Sequence, residues 1–474
     1  MTTTSPASAG PSGPSGPLAF VHRRRRGAEL FLLVLALMVG IGAYAAVGVG
    51  VEESVPADLV GYGGWLAALI ITCHVVVRLV APYADPVLLP VVAALNGLGL
   101  AVIHRIDLDQ GSGFASRQLT WMSVGVGLFI ATLLLLRDHR VLTRFTYTSG
   151  LGAIVLLLTP MMPLIGNEVR GARIWIQLGP FSLQPGEVAK VLLVVAFAGY
   201  LVQHRDALAL AGRRVLFVDL PRGRDLGPVL GMWLVSLGIL VFQKDLGSSL
   251  LFFGLFLVML YVATERPGWL VVGGALFLGG ALAAWRIFGH VQTRVDIWLD
   301  PFSHYGAGTD GRGEQPLEAL FGMAWGGLIG RGFGDGDPGR VPFAESDFIV
   351  AAIGEELGLT GLMAVLVLYG IIVERALRAA LISRDGFGKL LAAGLGAVLA
   401  LQVFVVVGGV TGLIPLTGLT TPFLSYGGSS LVANWVIVAL LLRVSDLARR
   451  PLPDLSGGAD QGSDDDTQVV RVQR

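Results

Sequence analysis

Charged residues interrupt an otherwise apolar sequence at a few places, and chemistry could occur at these places. Glu187 and Lys190 stand near the start of an apolar run, after the polar stretch 166–186. A charge at the centre of a bilayer costs about 2.5–3.5 kcal/mol by insertion scales, so such a residue needs a partner. Residues three apart share one helix face, so these two could pair. On spacing alone, an ordinary ion pair at the membrane interface is the simplest interpretation.

The elements that position these charges are apolar runs of bilayer length. Hydrophobic residues make up 54% of the 474-residue chain and charged residues 14%, whereas soluble domains carry about 25% charged residues. Runs of about 20 apolar residues match the thickness of a bilayer. About twelve are predicted: 29–50, 58–80, 86–103, 118–136, 145–165, 187–202, 226–242, 246–263, 268–288, 348–373, 390–413 and 425–442. The predicted fold is all-α, that of a polytopic integral membrane protein.

Charge distribution and cysteine content exclude several classes. The formal net charge is zero, and no stretch resembles the basic surface of a nucleic-acid-binding protein. Cys73 is the single cysteine, which excludes an intramolecular disulfide and a cysteine metal cluster. The seven histidines are scattered, so they predict no metal site.

The loops predict an orientation and a division of the chain. Basic residues cluster in alternate loops, which are expected in the cytoplasm by the positive-inside bias: Arg23–Arg26, Arg137–Arg144, Arg205–Arg224, Arg375–Lys389 and Arg443–Arg450. Both termini are then cytoplasmic. Residues 1–28 and 448–474 are predicted to be disordered. Residues 29–82 form two additional spans, and 83–447 form the main membrane domain. A large outer loop covers 290–346, and long loops are often functional.

Five motifs occur in one order: GARIW with QPGEVAK, FQKDLGSS, TRVDIWLDP, ESDFIVAAIGEELG, and IPLTGLTTPFLSYGGSS. They resemble the motifs of the SEDS family, the RodA, FtsW and SpoVE group of bacterial peptidoglycan polymerases, over about 86–443. The chain departs from the family pattern at several positions, with Ile174 between Arg173 and Trp175, Gly186 for Ser, Lys244 for Pro, Phe343 for Glu, Glu345 for His and Val406 for Asn. The two extra N-terminal spans and the loop variants resemble the RodA branch of actinobacteria.

The resemblance implies an inverting glycosyltransferase that polymerises lipid II, with undecaprenyl pyrophosphate as the leaving group. Asp300 would be the catalytic base, although an Asp-Pro pair is also typical of a turn. The implied substrate-binding residues are Arg173, Trp175, Gln184, Glu187, Lys190, Lys244, Asp245, Arg294 and Ser425. The planar guanidinium of an arginine can donate two parallel hydrogen bonds to phosphate oxygens. The basic side chains in this set could instead extend from the membrane interface to water. Asp245 and Glu187 could equally organise the site through ion pairs with Lys190 or Lys244.

The resemblance also implies partners and leaves alternatives open. A class B penicillin-binding protein transpeptidase is the expected protein partner, and the location is the bacterial plasma membrane. The resemblance implies no definite cofactor, although the pyrophosphate could bring a divalent cation, Mg²⁺ or Mn²⁺. The favoured role is cell elongation and shape. There are three alternatives: a septal FtsW-like polymerase, a lipid II flippase and a scaffold that recruits other proteins. Buried charges would also suit the flippase.

Overall fold

The structure is a computed structural model that describes residues 26–163, 165–169, 172–179, 181–205, 213–215, 218–220, 223–306 and 311–451. Most of the two termini predicted to be disordered, 1–25 and 452–474, lie outside these residues. The first helix begins at Arg26 and the last ends at Arg449. The helical part of the described chain therefore runs from Arg26 to Arg449.

Within the described residues the chain forms fifteen α-helices. They are α1 Arg26–Glu52, α2 Leu59–Val80, α3 Leu88–Gln110, α4 Phe114–Leu135, α5 Thr146–Leu158, α6 Pro185–Gln203, α7 Gly223–Phe242, α8 Leu246–Thr264, α9 Gly268–Ile287, α10 Gly289–Leu299, α11 Glu314–Gly326, α12 Ile349–Glu356, α13 Gly358–Ile382, α14 Gly386–Val410 and α15 Gly428–Arg449. Ten helical segments there are long and apolar enough to cross a membrane. Helix α7, of 20 residues, coincides with the predicted span 226–242, and α13, of 25 residues, overlaps the second half of the predicted span 348–373. The prediction of an all-α membrane protein is confirmed.

Helices α3, α6, α14 and α15 are mostly buried and form the centre of the bundle, whereas α9 is almost entirely exposed. The described residues of the large loop, 290–306 and 311–346, lie at one end, here called the loop end. The loops with clustered basic residues meet elsewhere: Arg140 Nε lies 3.4 Å from Asp385 Oδ2, and Arg384 Nη2 donates to the Arg450 carbonyl at 2.7 Å. Basic loops that were predicted to share one side of the membrane therefore do lie together.

The predicted span 348–373 is interrupted. Helix α12 ends at Glu356, and α13 starts at Gly358, whose φ is +68°. A Cβ at Gly358 would lie 2.2 Å from the backbone nitrogen of Gly330. The large loop thus touches the helix backbone here, at a position where only glycine has both the conformation and the space. Apolar periodicity does not reveal such a break.

Two small sheets occur in loops where no strands were predicted. Strands β1 Gly166–Val169, β2 Ala172–Leu178 and β3 Phe181–Leu183 form an antiparallel sheet in the order β1-β2-β3. Strands β4 Arg213–Val215 and β5 Val218–Leu220 form a hairpin. The first sheet pairs Asn167 with Trp175, and it leads directly into α6.

Glycines allow α1 to dock closely on α3. A Cβ at Gly97 would lie 2.7 Å from the Gly40 Cα, and small residues permit such approaches in lipid. Replacing Gly97 with Ala should therefore separate the two helices and cost about 1–3 kcal/mol, measured as a lower melting temperature in mild detergent. Gly127→Ala on α4 is the control, because a Cβ there meets open space. Equal melting temperatures for the two variants would contradict this packing.

Candidate active site

A buried polar cluster lies at the start of α6. Lys190 Nζ lies 2.5 Å from Glu187 Oε2, and the two side chains are 2% and 5% exposed. The same ammonium donates to Gln402 Oε1 at 2.9 Å and to Asn434 Oδ1 at 3.2 Å. The ion pair that the spacing predicted is present. Sequence reasoning missed Gln402 and Asn434. The signal that could have identified each of them is a polar residue within an otherwise apolar helix.

Arg294, in the large loop, contacts the segment between α14 and α15. It lies on α10, and its Nη1 donates to the Leu416 carbonyl at 2.9 Å. Burial lowers the pKa of Arg294, while the charges of Asp245 and Asp347 oppose that effect. The guanidinium is therefore held near two carboxylates from different segments of the chain.

Asp245 begins α8 as its N-cap, and its Oδ1 accepts from the Ser248 backbone N–H at 2.9 Å. Burial raises the pKa of Asp245, whereas Ser248 and then Arg294 act to lower it. Among the described residues, Asp245 forms no ion pair with Lys244 or Lys190. The hypothesis of such a pair is wrong, because the helix cap orients this carboxylate and Arg294 is the cation near it.

Lys244 is exposed at the turn before α8, where its φ is +62°. It acts electrostatically on His290 at the start of α10. The pKa of His290 is lowered by burial, by Arg294 and by Lys244. Two cations, Arg294 and Lys244, therefore act on this histidine, and their charge favours binding of an anionic group nearby.

Asp300 follows α10 and is exposed. Its Oδ1 accepts from the Ser303 backbone N–H at 3.3 Å, and a 3-10 turn follows over Phe302–His304. The turn expected from Asp-Pro is therefore present. Six residues at 1.5 Å each place Asp300 about 9 Å along the helix axis from Arg294. Within the described residues Oδ2 accepts no hydrogen bond, so the carboxylate can still take a proton.

Ser425 and Gln184 are bonded to backbone and to neighbouring loops. The Ser425 hydroxyl donates to the Ser346 carbonyl at 2.6 Å and accepts from the Thr421 N–H at 2.8 Å. Gln184 precedes α6, and its N–H donates to Ser429 Oγ at 3.2 Å. Ser425 lies in the loop before α15, which starts at Gly428, not at the start of the helix as predicted. These bonds favour a positioning role for Ser425.

Gln118 is a second residue that sequence reasoning missed. Its amide donates to the Ser425 carbonyl at 2.9 Å and accepts from the Gly427 N–H at 3.2 Å. It is buried in α4, and it holds the loop before α15 against that helix.

Arg173 and Trp175 lie on β2 of the first outer loop. Arg173 Nε donates to Glu168 Oε2 at 2.8 Å, and both side chains are exposed. Within the described residues, no hydrogen bond or ion pair joins Arg173 to Asp245 or Arg294. The structure therefore brings Glu187, Lys190, Asp245 and Arg294 toward one region, whereas Arg173 pairs with Glu168 of the neighbouring strand. Arg170 and Gly171, from the same motif, lie outside the described residues.

Glu355 and Glu356 are the last two residues of α12. Arg105 Nε donates to Glu356 Oε1 at 2.7 Å and its Nη2 to the Gly336 carbonyl at 2.8 Å. Glu355 Oε1 accepts from the Asp337 N–H at 2.8 Å. The two acids therefore bind the large loop rather than cap a helix. The cation of Glu356, Arg105, was missed because it is 251 residues away in sequence.

In the described part of the chain, no group of three or more His, Cys, Asp or Glu side chains could hold a metal ion.

Comparisons with known proteins agree with these motifs. Residues 86–450 match the family model for FtsW, RodA and SpoVE, described as cell cycle protein. The chain is similar to the peptidoglycan glycosyltransferase RodA of Mycobacterium tuberculosis (51% identity) and of Mycobacterium leprae (48%), over 90% of this chain and 92% of theirs. The probable peptidoglycan glycosyltransferase FtsW of Geobacter metallireducens is 32% identical over 76% of this chain and 94% of its own.

Solved structures are also similar. A chain from a peptidoglycan synthase complex that coordinates polymerization and crosslinking matches with a TM-score of 0.63 and 30% identity, over 77% of this chain and 98% of that one. A mutant of the rod shape determining protein RodA of Thermus thermophilus matches with a TM-score of 0.54 and 27% identity, over 76% and 97%.

Proposed function

The chain belongs to the FtsW, RodA and SpoVE family, and from that premise we propose that it is a RodA-type peptidoglycan glycosyltransferase that polymerises lipid II. The similarity to the mycobacterial RodA enzymes, which extends over nine tenths of the chain, carries this proposal. The exposed Asp300 carboxylate, at the end of the helix that carries Arg294, supports it. These groups are the ones that transfer of a sugar from a pyrophosphate requires.

The proposed reaction is a single displacement. A sugar hydroxyl of lipid II attacks C1 of the glycan attached to undecaprenyl pyrophosphate. The new C1–O bond forms as the bond to the pyrophosphate breaks, and the configuration inverts. Asp300 accepts the hydroxyl proton, and the pyrophosphate takes the electron pair of the broken bond. Arg294 and Lys244 stabilise the charge that develops on this leaving group.

Arg294 should stabilise the leaving group through the paired N–H donors of its guanidinium as well as through its charge. Arg294→Lys retains the positive charge but loses the paired N–H donors. Hydrogen bonds to charged groups contribute about 1.5–3 kcal/mol, so polymerisation should slow by about 10- to 100-fold. Initial rates of lipid II consumption measure this change. The matched control is Arg286→Lys, because Arg286 is exposed on α9 and stacks on Trp285. Equal rates for wild type and Arg294→Lys would refute the role.

The polymerase and flippase hypotheses make different predictions in liposomes. Purified protein with labelled lipid II should yield a ladder of glycan strands once the partner is supplied. Movement of lipid II between leaflets without any ladder would instead support the flippase.

The partner proposed is a class B penicillin-binding protein that cross-links the strands. The similarity to a chain of a peptidoglycan synthase complex supports this partner. The complex should polymerise faster than the isolated chain, and equal activity alone would count against the partnership.

The proposed location is the bacterial plasma membrane, with both termini in the cytoplasm and the loop end outside. The clustering of basic loops away from residues 290–346 supports this orientation. The proposed cellular role is elongation. Depletion should then produce rounded cells, whereas filaments would indicate a septal, FtsW-like role. Normal growth of cells that carry only an inactive Asp300 variant would indicate a scaffold.

A further inference from the structure

A cavity of about 430 Å³ lies at the loop end, where α11 and the segment 335–341 face the end of α12. Volumes of 300–1,000 Å³ are typical of sites for small ligands. The charged residues of its lining are one arginine, Arg340, and four acids, Glu318, Asp335, Asp337 and Glu355. This excess of carboxylates favours a cationic ligand.

One oxygen of Glu355 has no hydrogen-bond donor. The residue is 5% exposed, and its Oε1 accepts from the Asp337 backbone N–H at 2.8 Å. Its Oε2 forms no hydrogen bond or ion pair within the described residues, yet it is not enclosed by protein atoms. A Cβ at Gly322, which also lines the cavity, would lie 2.8 Å from Oε2, so this oxygen is on the cavity side. A buried acceptor that lacks a donor is costly, and the free oxygen therefore indicates a donor that arrives with a ligand.

The single arginine of the lining does not neutralise Glu355. Arg340 Nε lies 3.9 Å from Glu318 Oε2, and Glu318 Oε1 accepts from the Tyr305 hydroxyl at 2.9 Å. Asp335 and Asp337 are exposed, and neither carboxylate forms an ion pair with any described residue. The negative charge around Glu355 Oε2 is therefore left for a ligand to balance.

The size and donor set of the cavity exclude an inorganic ion. Its volume is many times that of a single ion, and no three acids or histidines in the described part of the chain are grouped closely enough to hold a metal. The half-exposed ring of Phe321 offers an apolar surface for methylene groups. The expected ligand is therefore an organic cation with a short aliphatic chain.

The contacts also distinguish among organic cations. A guanidinium donates two parallel hydrogen bonds to paired oxygens, but Glu355 has one free oxygen. An ammonium is a compact charge with three rotatable donors, which a single oxygen can accept. One face of the Trp325 ring is covered by the Arg331 guanidinium, 3.7 Å from the ring centroid. The lining therefore lacks the aromatic cage that a quaternary ammonium requires.

The cavity is close to the segment that carries Asp300. Helix α11 starts beside that segment, because the Gly313 N–H donates to the His304 carbonyl at 2.9 Å and a Cβ at Gly313 would clash with the Pro301 carbonyl oxygen. Glu318 and Gly322 follow on the same helix, about 8 and 14 Å from Gly313 along its axis. A substrate bound at Asp300 could therefore place a side group in the cavity.

We propose that this cavity binds a primary ammonium group at the end of a short aliphatic chain. The ammonium donates to Glu355 Oε2, and the charges of Asp335 and Asp337 attract it. The group could belong to a peptide carried by the lipid-linked substrate or to a free amine. Binding of the ammonium is independent of the catalytic proposal, and only the first of these two sources rests on the proposed function.

Ligand-observed NMR titration of the full chain tests this site in phosphatidylcholine nanodiscs, whose lipids carry no net charge. The probes are Nα-acetyl-lysine methylamide, its arginine analogue and its norleucine analogue, which lacks the ammonium. The lysine probe should bind more tightly than the arginine probe, and the norleucine probe should not bind. Glu355→Gln should weaken binding of the lysine probe about 10- to 100-fold, the effect of a hydrogen bond to a charged group. Asp335→Asn should weaken it about two- to fivefold, because Asp335 is exposed.

Glu314→Gln is the matched control, because Glu314 is exposed in the first turn of α11 and does not line the cavity. This variant should bind the lysine probe like wild type. Three results would overturn the proposal: equal binding of the lysine and norleucine probes, tighter binding of the arginine probe, or lysine binding that is unaffected by both Glu355→Gln and Asp335→Asn. Asp335→Asn decides the matter if Glu355→Gln does not fold.

Competition against the bound lysine probe separates the two sources. The competitors are lipid II with a free amine in its peptide and lipid II acetylated at that amine, each incorporated in the nanodiscs. Displacement by the first alone assigns the ammonium to the substrate, and any other result assigns it to a free amine. These measurements require no turnover, so a failure to bind the lysine probe would leave the polymerase proposal intact.

Discussion

Asp300→Asn is expected to abolish glycan polymerisation while the protein remains folded. The amide cannot accept the proton of the attacking hydroxyl, and general bases contribute about 10²- to 10⁴-fold to rate. The native carboxylate is exposed and accepts one hydrogen bond, from Ser303 at 3.3 Å, and an amide oxygen can accept the same bond. Polymerisation of labelled lipid II by the complex with its transpeptidase measures the rate, and thermal unfolding measures the fold.

Asp296→Asn is the matched control for this prediction. Asp296 is exposed on the same helix, four residues earlier, and its replacement changes the local charge by the same amount. Its rate should stay within about twofold of wild type. If Asp296→Asn and Asp300→Asn slow polymerisation equally, the effect is general electrostatics and not proton transfer.

The spans could be predicted from sequence because each depends on a local property. A run of about 20 apolar residues is sufficient to cross a bilayer, whatever its neighbours are. The break at Gly358 could not be predicted in this way. It depends on Gly330, which approaches the helix backbone from the large loop. Hydropathy does not contain that information.

The candidate site was predicted residue by residue but not as an arrangement. The three-residue spacing of Glu187 and Lys190 predicted an ion pair, and the structure contains it. The other partners of Lys190 are 212 and 244 residues away in sequence, so no local pattern could identify them. Asp245 was expected to pair with Lys190 or Lys244, whereas folding brings it near Arg294. Sequence proximity is a poor guide to which charges pair in a helical bundle.

Helix α10 connects the packed interior of the bundle to Asp300, the proposed catalytic base. Its Arg294 is anchored on the Leu416 carbonyl, and its C-terminal end presents Asp300 to solvent. Because a helix is rigid over about 9 Å, movement of the loop before α15 should move Arg294 and Asp300 together. Gln118 and Ser425, which hold that loop, could therefore affect catalysis without touching substrate.

Lys190→Met should destabilise the protein more than any other single substitution considered above. The change leaves Glu187 buried without its cation, and breaking a buried pair by removing one partner costs about 3–5 kcal/mol. Adding Glu187→Gln to Lys190→Met removes the unpaired charge and should restore most of that stability. The free energy of unfolding, from titration with SDS in mixed micelles, measures both effects.

The exposed pair Arg173–Glu168 provides the control for this comparison. Its atoms are 2.8 Å apart, but the side chains are 58% and 48% exposed, and exposed pairs contribute about 0–1 kcal/mol. Arg173→Gln should therefore change the free energy of unfolding by less than about 1 kcal/mol. If it costs as much as Lys190→Met, or if the double variant is no more stable than Lys190→Met, then charge burial at α6 does not control the stability of this domain. In that case the loss must come from the packing of the lysine side chain between α14 and α15.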